Sequence, residues 1–281
     1  MPPHGIRRIL APNPGPLTGP GTNTYILADG AVVVDPGPKE PAHLDAILRA
    51  SDRIEAILVT HAHRDHSELA APLSERSGAP VLAFGPPTAG RSSVMRSLSG
   101  LGGGEGLDAS FRPDRGLVDG EVISFGSTAI TALHTPGHFG GHLSFQIGDT
   151  ILSGDLVMGW STTLISPPDG DVAAFRASCA RLLDLHPSIL LPGHGDPVAD
   201  PKERIAELLA HREMRERQIV AALSDAPGTA SDLAARIYTD VAPALLPAAA
   251  RNVLAHLIDL TERGRAVAPR GISEHAVFHP A

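Results

Sequence analysis

The chain has 281 residues, 42% of them hydrophobic and 19% charged, with 23 Lys+Arg against 31 Asp+Glu and a formal net charge of −8. The length suits one large domain or a medium domain with a small partner; the composition is globular and excludes a disordered chain and, with no long apolar run, a membrane span. A single cysteine excludes a disulfide framework and any multi-cysteine zinc site, and residues 1–10 show no apolar leader segment, so a cytoplasmic setting is expected.

In chain order, residues 24–28 and 31–34 predict a hairpin turned at Asp29-Gly30. Residues 41–50 follow as an amphipathic helix, 56–60 as a buried strand and 68–76 as a helix in spite of Pro72. Strands are expected over 81–84, 121–125, 129–134, 143–147 and 150–152, with a second tight turn at Gly148-Asp149. Over 172–186, Val172, Phe175, Cys179 and Leu182 form one apolar helical stripe, so the lone cysteine reads as buried core. Long Gly/Pro loops fall at 11–21, 85–90 and 99–106, a length more often functional than idle. The composition shifts after Gly195. Residues 196–202 read as a linker, followed by helices over 204–223, 231–238 and 248–262, with Thr229 and Ser231 where N-caps belong, and a terminal hairpin over 265–279. Three helices and a hairpin predict a winged-helix-like domain over 201–281 behind an α/β domain over 1–200.

Histidine is the outlying count, at 14. In Val59-Thr60-His61-Ala62-His63-Arg64-Asp65-His66 the histidines begin where an apolar strand ends. His61 and His63 alternate by two, so their side chains can converge from an extended chain end, while Asp65 and His66 follow in a turn and face a second point nearby. Imidazole and carboxylate are the ligand types that hold zinc while leaving coordination positions open. The same arrangement recurs in His134-Thr135-Pro136-Gly137-His138, in Ser153-Gly154-Asp155 and in Pro192-Gly193-His194-Gly195. Each sets one ligand-capable side chain just past a strand. Any one of these alone is an ordinary loop histidine or aspartate; together they predict a dinuclear metal site.

This set of motifs resembles the metallo-β-lactamase superfamily, and Val34-Asp35-Pro36-Gly37 matches a further motif of it. The resemblance implies a four-layer αββα sandwich with two metal ions at one edge. By position, His61, His63 and His138 would bind the first zinc; Asp65, His66 and His194 would bind the second; Asp155 would bridge them. Asp35 would brace the ligand loops rather than bind metal. The chemistry implied is hydrolysis by a hydroxide shared between the metals, with Asp65 and Asp155 as the catalytic carboxylates. Iron or manganese would suit the same donors. Gly21-Thr22-Asn23-Thr24-Tyr25 and the helical C-terminal domain narrow the resemblance to the lactamase-beta-like protein 2 group, which includes an endoribonuclease acting on single-stranded RNA and thioesterases. Antibiotic hydrolysis is set aside, because lactamases of this fold usually replace the bridging aspartate.

Ester or thioester hydrolysis on a small molecule is the leading expectation; cleavage of single-stranded RNA is the alternative. The acidic excess lies wholly within residues 1–200, aromatics are 4%, and no basic stripe is visible, which disfavours a polyanion. Arg91, Arg96, Arg112 and Arg115 could still form a local basic lip. A nucleic-acid-binding regulator with a vestigial metal domain is the reading from another class; it is opposed by the complete ligand set and by helix 248–262, which is poor in bases. The helical domain is expected to cover the active-site mouth or to mediate a homodimer. Asn23 and His142 are lesser candidates for lining the site or contacting substrate, and Trp160 reads as core, with the pocket wall as its alternative.

Overall fold

The computed structural model describes residues 5–98, 101 and 106–281, so most of the expected 99–106 loop lies outside the described residues. Six strands, β1 (Arg7–Leu10), β2 (Asn23–Leu27), β3 (Val32–Val34), β4 (Ala56–Leu58), β5 (Val81–Ala83) and β6 (Arg115–Gly116), pair in that order, antiparallel through β3 and parallel from there on. The parallel centre is apolar at every position because both its faces are covered. A second sheet runs β11-β10-β9-β8-β7, from β7 (Val122–Phe125), β8 (Thr128–His134), β9 (Leu143–Ile147), β10 (Thr150–Gly154) and β11 (Ile189–Pro192). Its one parallel pair, β10 and β11, is joined by α5 (Val172–Asp184).

Strand alternation sorts the side chains into three apolar layers, and these define an αββα sandwich. Tyr25, Leu27, Val34 and Leu58 face Ile130, Ala132, Phe145 and Leu152 between the sheets. Ile26, Val33 and Ile57 turn the other way, onto Ile47 of α1 (Pro41–Ala50) and Leu73 of α3 (Ala70–Ser77). Leu133, Ile151 and Leu190 pack under Phe175, Cys179 and Leu182 of α5, so the cysteine is core as expected. The strands β8, β10 and β11 all end on the same side of their sheet, as β3 and β4 do in theirs, and the histidine-bearing loops leave from those ends.

Several local expectations are revised. The β2–β3 turn takes four residues, 28–31, because Leu27 pairs with Val32; Ala28 and Asp29 both adopt positive φ (50° and 54°). The helix expected over 68–76 starts at Ala70, as α3, behind a separate short helix α2 (Arg64–Ser67), since the Leu69 amide donates to Gly37 C=O rather than joining the two. Pro72 then falls in the first turn of α3, where no amide donor is required. The short edge strands β1 and β6 are largely exposed and carry no core alternation that would reveal them. The stretch 196–202 is no free linker: Val198 exchanges backbone hydrogen bonds with Leu190, and Asp200 caps the next helix by accepting from Glu203 N–H at 2.9 Å.

That helix, α6 (Pro201–Asp225), lies on two cores. Ile205 and Leu208 join the α5 layer, whereas Ile219 and Leu223 pack with α7 (Ala230–Ile237) and α8 (Leu246–Glu262). A two-stranded pair, β12 (Ala266–Val267) with β13 (His279–Pro280), closes the C-terminal unit. Glu216 of α6 accepts from Arg176 of α5 and from Arg263 and Arg265 beyond α8. A short helix, α4 (Ser93–Ser97), adds Met95 to this second core. Among the described residues no helix is long and apolar enough to cross a membrane.

Burial in α8 leaves both ring nitrogens of His256 without a hydrogen-bond partner. Burial, reinforced by Arg212 and Arg176, brings its pKa down to about 3, and burial takes His43 down to about 4. An unfolded chain binds these protons from about pH 6.5 downward while the folded chain refuses them, so their stabilisation is whole above that pH and is lost as pH falls. Thermal melts should therefore show Tm falling between pH 7 and pH 5, with a shallower slope in His256→Leu; equal slopes would refute the assignment.

Candidate metal centre

The loops after β4, β8, β10 and β11 bring His61, His63, Asp65, His66, His138, Asp155 and His194 into one cluster. Three overlapping groups could each hold a metal ion: His61/His63/His138, His61/His66/Asp155 and Asp65/His66/His194, with ligand atoms within 4.8 Å of one another in each group. Asp155 lies between the outer two groups. Its Oδ2 is 3.8 Å from His138 Nε2 and 3.4 Å from His194 Nε2, and its Oδ1 is 3.5 Å from His66 Nε2.

Ring orientation is fixed from behind. His138 Nδ1 donates to Leu164 C=O at 2.7 Å, and His194 Nδ1 donates to Gly21 C=O at 3.1 Å. His66 Nδ1 donates to Asp35 Oδ2 at 2.9 Å. Thr60 Oγ1 gives its own proton to Asp35 Oδ2 at 2.8 Å, so at 2.9 Å it accepts from His61 Nδ1. All four rings thus carry a proton on the outward nitrogen and aim Nε2 inward, the arrangement by which backbone and carboxylate acceptors present imidazole to a metal. His63 Nδ1 lies 2.9 Å from His61 Nε2 and 3.0 Å from His138 Nε2. With all three rings neutral, a single proton on His63 Nδ1 would have to serve both of the other nitrogens. The buried Asp155 Oδ1 has no hydrogen-bond partner. Lone pairs crowded at this distance, beside an orphaned carboxylate oxygen, fit a pair of divalent cations.

The charges follow the same division. Burial, with His66, His63 and His138 adding to it, holds His61 well below the usual histidine range, and burial holds His63 down at about 3. Burial opposes charge on Asp155 and Asp65, yet the neighbouring imidazoles outweigh it: Asp155 is held well below the carboxylate range and Asp65 at about 2. Asp155 and Asp65 reciprocate, raising His194 to about 10 against its burial. Asp65 is 27% exposed while Asp155 is 9% exposed, so the cluster opens to solvent on the Asp65 side.

The lesser candidates fall behind the cluster. Asp35, at a positive φ of 51°, accepts from Thr60 N–H, Thr60 Oγ1 and His66 Nδ1. Asn23 Nδ2 donates to the carbonyls of Pro192 and Gly195 and so holds the His194 turn. His142 is fully buried; its Nε2 accepts from Asp155 N–H at 3.2 Å and its Nδ1 donates to Thr135 Oγ1 at 3.0 Å. Neither Asn23 nor His142 reaches the surface. Gly193 is required because a Cβ there would sit 2.4 Å from Asp155 Oδ1 and 2.6 Å from His66 Cε1. Trp160 is not core: it is 44% exposed and packs against Gly19 and Gly195, beside His194. Of the arginines that could have formed a basic lip, Arg91 is half-buried while Arg96, Arg112 and Arg115 are exposed. Arg91 pairs with Asp169 and Arg115 with Glu121, while Arg96 and Arg112 donate to backbone carbonyls. Sequence reasoning passed over Thr60 as an orienting group although it lies inside the first motif; Leu164, whose role is only a carbonyl, left no signal to find.

Replacing Asp35 by Asn puts an amide N–H2 where Thr60 and His66 need an acceptor. Asp35→Asn is expected to weaken metal binding by about 10- to 100-fold, measured by chelator competition; unchanged affinity would refute its bracing role.

A family model for the metallo-beta-lactamase superfamily matches residues 17–194, and one for the beta-lactamase associated winged helix domain matches residues 229–271. Beta-lactamase-like protein 2 homolog of Drosophila melanogaster is 30% identical, spanning 98% of this chain and 94% of its own length. Atrochrysone carboxyl ACP thioesterase of Aspergillus chevalieri is 31% identical, spanning 78% of this chain and 66% of its own length. A metallo-beta-lactamase family protein from Thermus thermophilus superposes with a TM-score of 0.79 at 24% identity, covering 99% of both chains. With the sandwich, the winged helix and the clustered donors, these matches establish that the chain belongs to the metallo-beta-lactamase superfamily of metal-dependent hydrolases.

Proposed function

We propose that this chain is a dinuclear metal hydrolase of esters or thioesters of small acyl compounds. The observation that carries the reading is the inward aim of the ring nitrogens around Asp155, each fixed by an acceptor behind it. His61, His63 and His138 would hold one ion, Asp65, His66 and His194 the other, with Asp155 shared between them; two of the metal-capable groups coincide with these trios. Zinc is the proposed metal, with iron or manganese as the alternatives the same donors accept. A metal pair at such a site supplies Lewis acidity and lowers the pKa of water into the neutral range.

The chain's own residues supply the rest. Asp155, buried and held as the anion, would offset part of the charge of both ions. Asp65 is the more exposed of the two carboxylates and marks the side from which water and substrate would reach the cluster. Thioesters are favoured over RNA by two observations: the similarity to an acyl carrier protein thioesterase, and the engagement of Arg91 and Arg115 in ion pairs. Arg251 of α8 is buried against Ser166 and Pro167, so this helix offers no basic face for a phosphate backbone. The division into a catalytic unit over 1–200 and a winged-helix-like unit over 201–281 is supported by the spans of the two family matches.

Metal-loaded protein, with His63→Ala as control, should turn over members of a panel of acyl esters and thioesters and leave single-stranded RNA intact, with turnover abolished in the variant. Cleavage of RNA with the acyl panel untouched would sink the ester and thioester reading in favour of a phosphodiesterase.

A further inference from the structure

The segment 163–167 between β10 and α5 is gripped from both sides. On its inner side, the one hydroxyl proton of Thr163 is shared between the carbonyls of Leu156 (2.9 Å) and Asp155 (3.1 Å), and Leu164 C=O accepts from His138 Nδ1 at 2.7 Å. On its outer side the C-terminal helices take hold. Arg212 of α6 donates through Nη2 to Thr163 C=O and through Nη1 to Asn252 Oδ1 at 3.2 Å; the same Asn252 oxygen accepts from Ile165 N–H at 3.0 Å. Arg251 of α8 donates to Ser166 Oγ and Pro167 C=O.

Arg212 is the informative member. Its side chain is 2% exposed, it has no carboxylate within ion-pair distance among the described residues, and its Nε has no hydrogen-bond partner. Burial brings its pKa down to about 10. A cation buried without a counter-ion is a poor way to glue helices together; an apolar side chain of the same volume would do that at less cost. What a guanidinium does here, and an apolar group would not, is donate to Thr163 C=O and Asn252 together and so fix the height of a segment whose next contacts are Asp155 and His138.

Resting on the metal-centre reading above, we infer that Arg212, Asn252 and Thr163 are positioning residues: through them the C-terminal helical unit sets the placement of Asp155 and the ring orientation of His138. Asp155 is then held at both ends of its residue, by His142 at its N–H and by Thr163 at its C=O.

The test uses the full chain and four variants: Thr163→Val, which keeps the shape and loses the hydroxyl; Thr163→Ser, which restores it; Arg212→Met; and the double Thr163→Val/Arg212→Met. Affinity for zinc is read by chelator competition and folding by thermal melts of the metal-free protein. Thr163→Val and Arg212→Met should each lose about 10- to 100-fold in metal affinity, as other groups behind metal ligands do. Thr163→Ser should recover most of it. The double variant should fall little below the worse single one, because both act through one chain of contacts. Wild-type affinity in both single variants, with only Tm lowered, would show a purely structural role and overturn the inference. Arg212→Met supplies an independent arm should Thr163→Val not fold. Failure of the wild-type chain itself to bind metal would overturn the metal-centre reading, and this inference with it.

Discussion

A buried carboxylate at the end of β3 sets the geometry from which the rest of the site follows. Asp35 accepts from the Thr60 amide, the Thr60 hydroxyl and His66, so the ends of two parallel strands and the start of α2 are tied to one group. Its positive φ is the local strain by which the chain turns that carboxylate inward, and the three acceptor contacts offset it. Because the Thr60 hydroxyl is committed to Asp35, its lone pair is left for His61. One side chain thereby orients two rings, one directly and one by relay, and those rings meet with Asp155 in the middle one of the three groups while each also belongs to one outer group.

A sandwich of two sheets offers such a cluster a particular advantage. Donors that must converge come from strands of both sheets, and the apolar layer between the sheets fixes how far apart their ends lie. The His194 turn comes from the second sheet yet is held by Asn23 and by the Gly21 carbonyl of the first. Ring nitrogens near 3 Å from one another are held there by the packed layers beneath.

Much of this was legible in the sequence because the clustered His and Asp side chains follow strand ends, and both leave marks: short β-rich runs, then Gly, Pro, His or Asp. The motifs at Thr60–His66, Thr135–His138, Ser153–Asp155 and Pro192–Gly195 could be aligned with strands before any coordinates. What could not be read were features set by backbone partners distant in the chain. The break after Ser67 depends on the Gly37 carbonyl, and the orientation of His138 depends on that of Leu164. A carbonyl belongs to every residue, so sequence carries no trace of which one is used. Trp160 misled for a related reason: a large aromatic normally marks a core, but the glycines beside it give it a shelf at the surface. Arg212 falls within the helix expected over 204–223, but its burial follows from the packing of three helices, each ordinary alone.

The helix α6 runs unbroken for 25 residues, about 37 Å at the usual rise. Its first half is a structural member of the sandwich and its second half of the winged-helix-like unit. Two cores that share one rod cannot loosen independently: to fray the terminal unit is to remove the lever that Arg212 works from. Arg212 sits at the middle of that rod, so a bend there would reach the 163–167 segment and both cores at once.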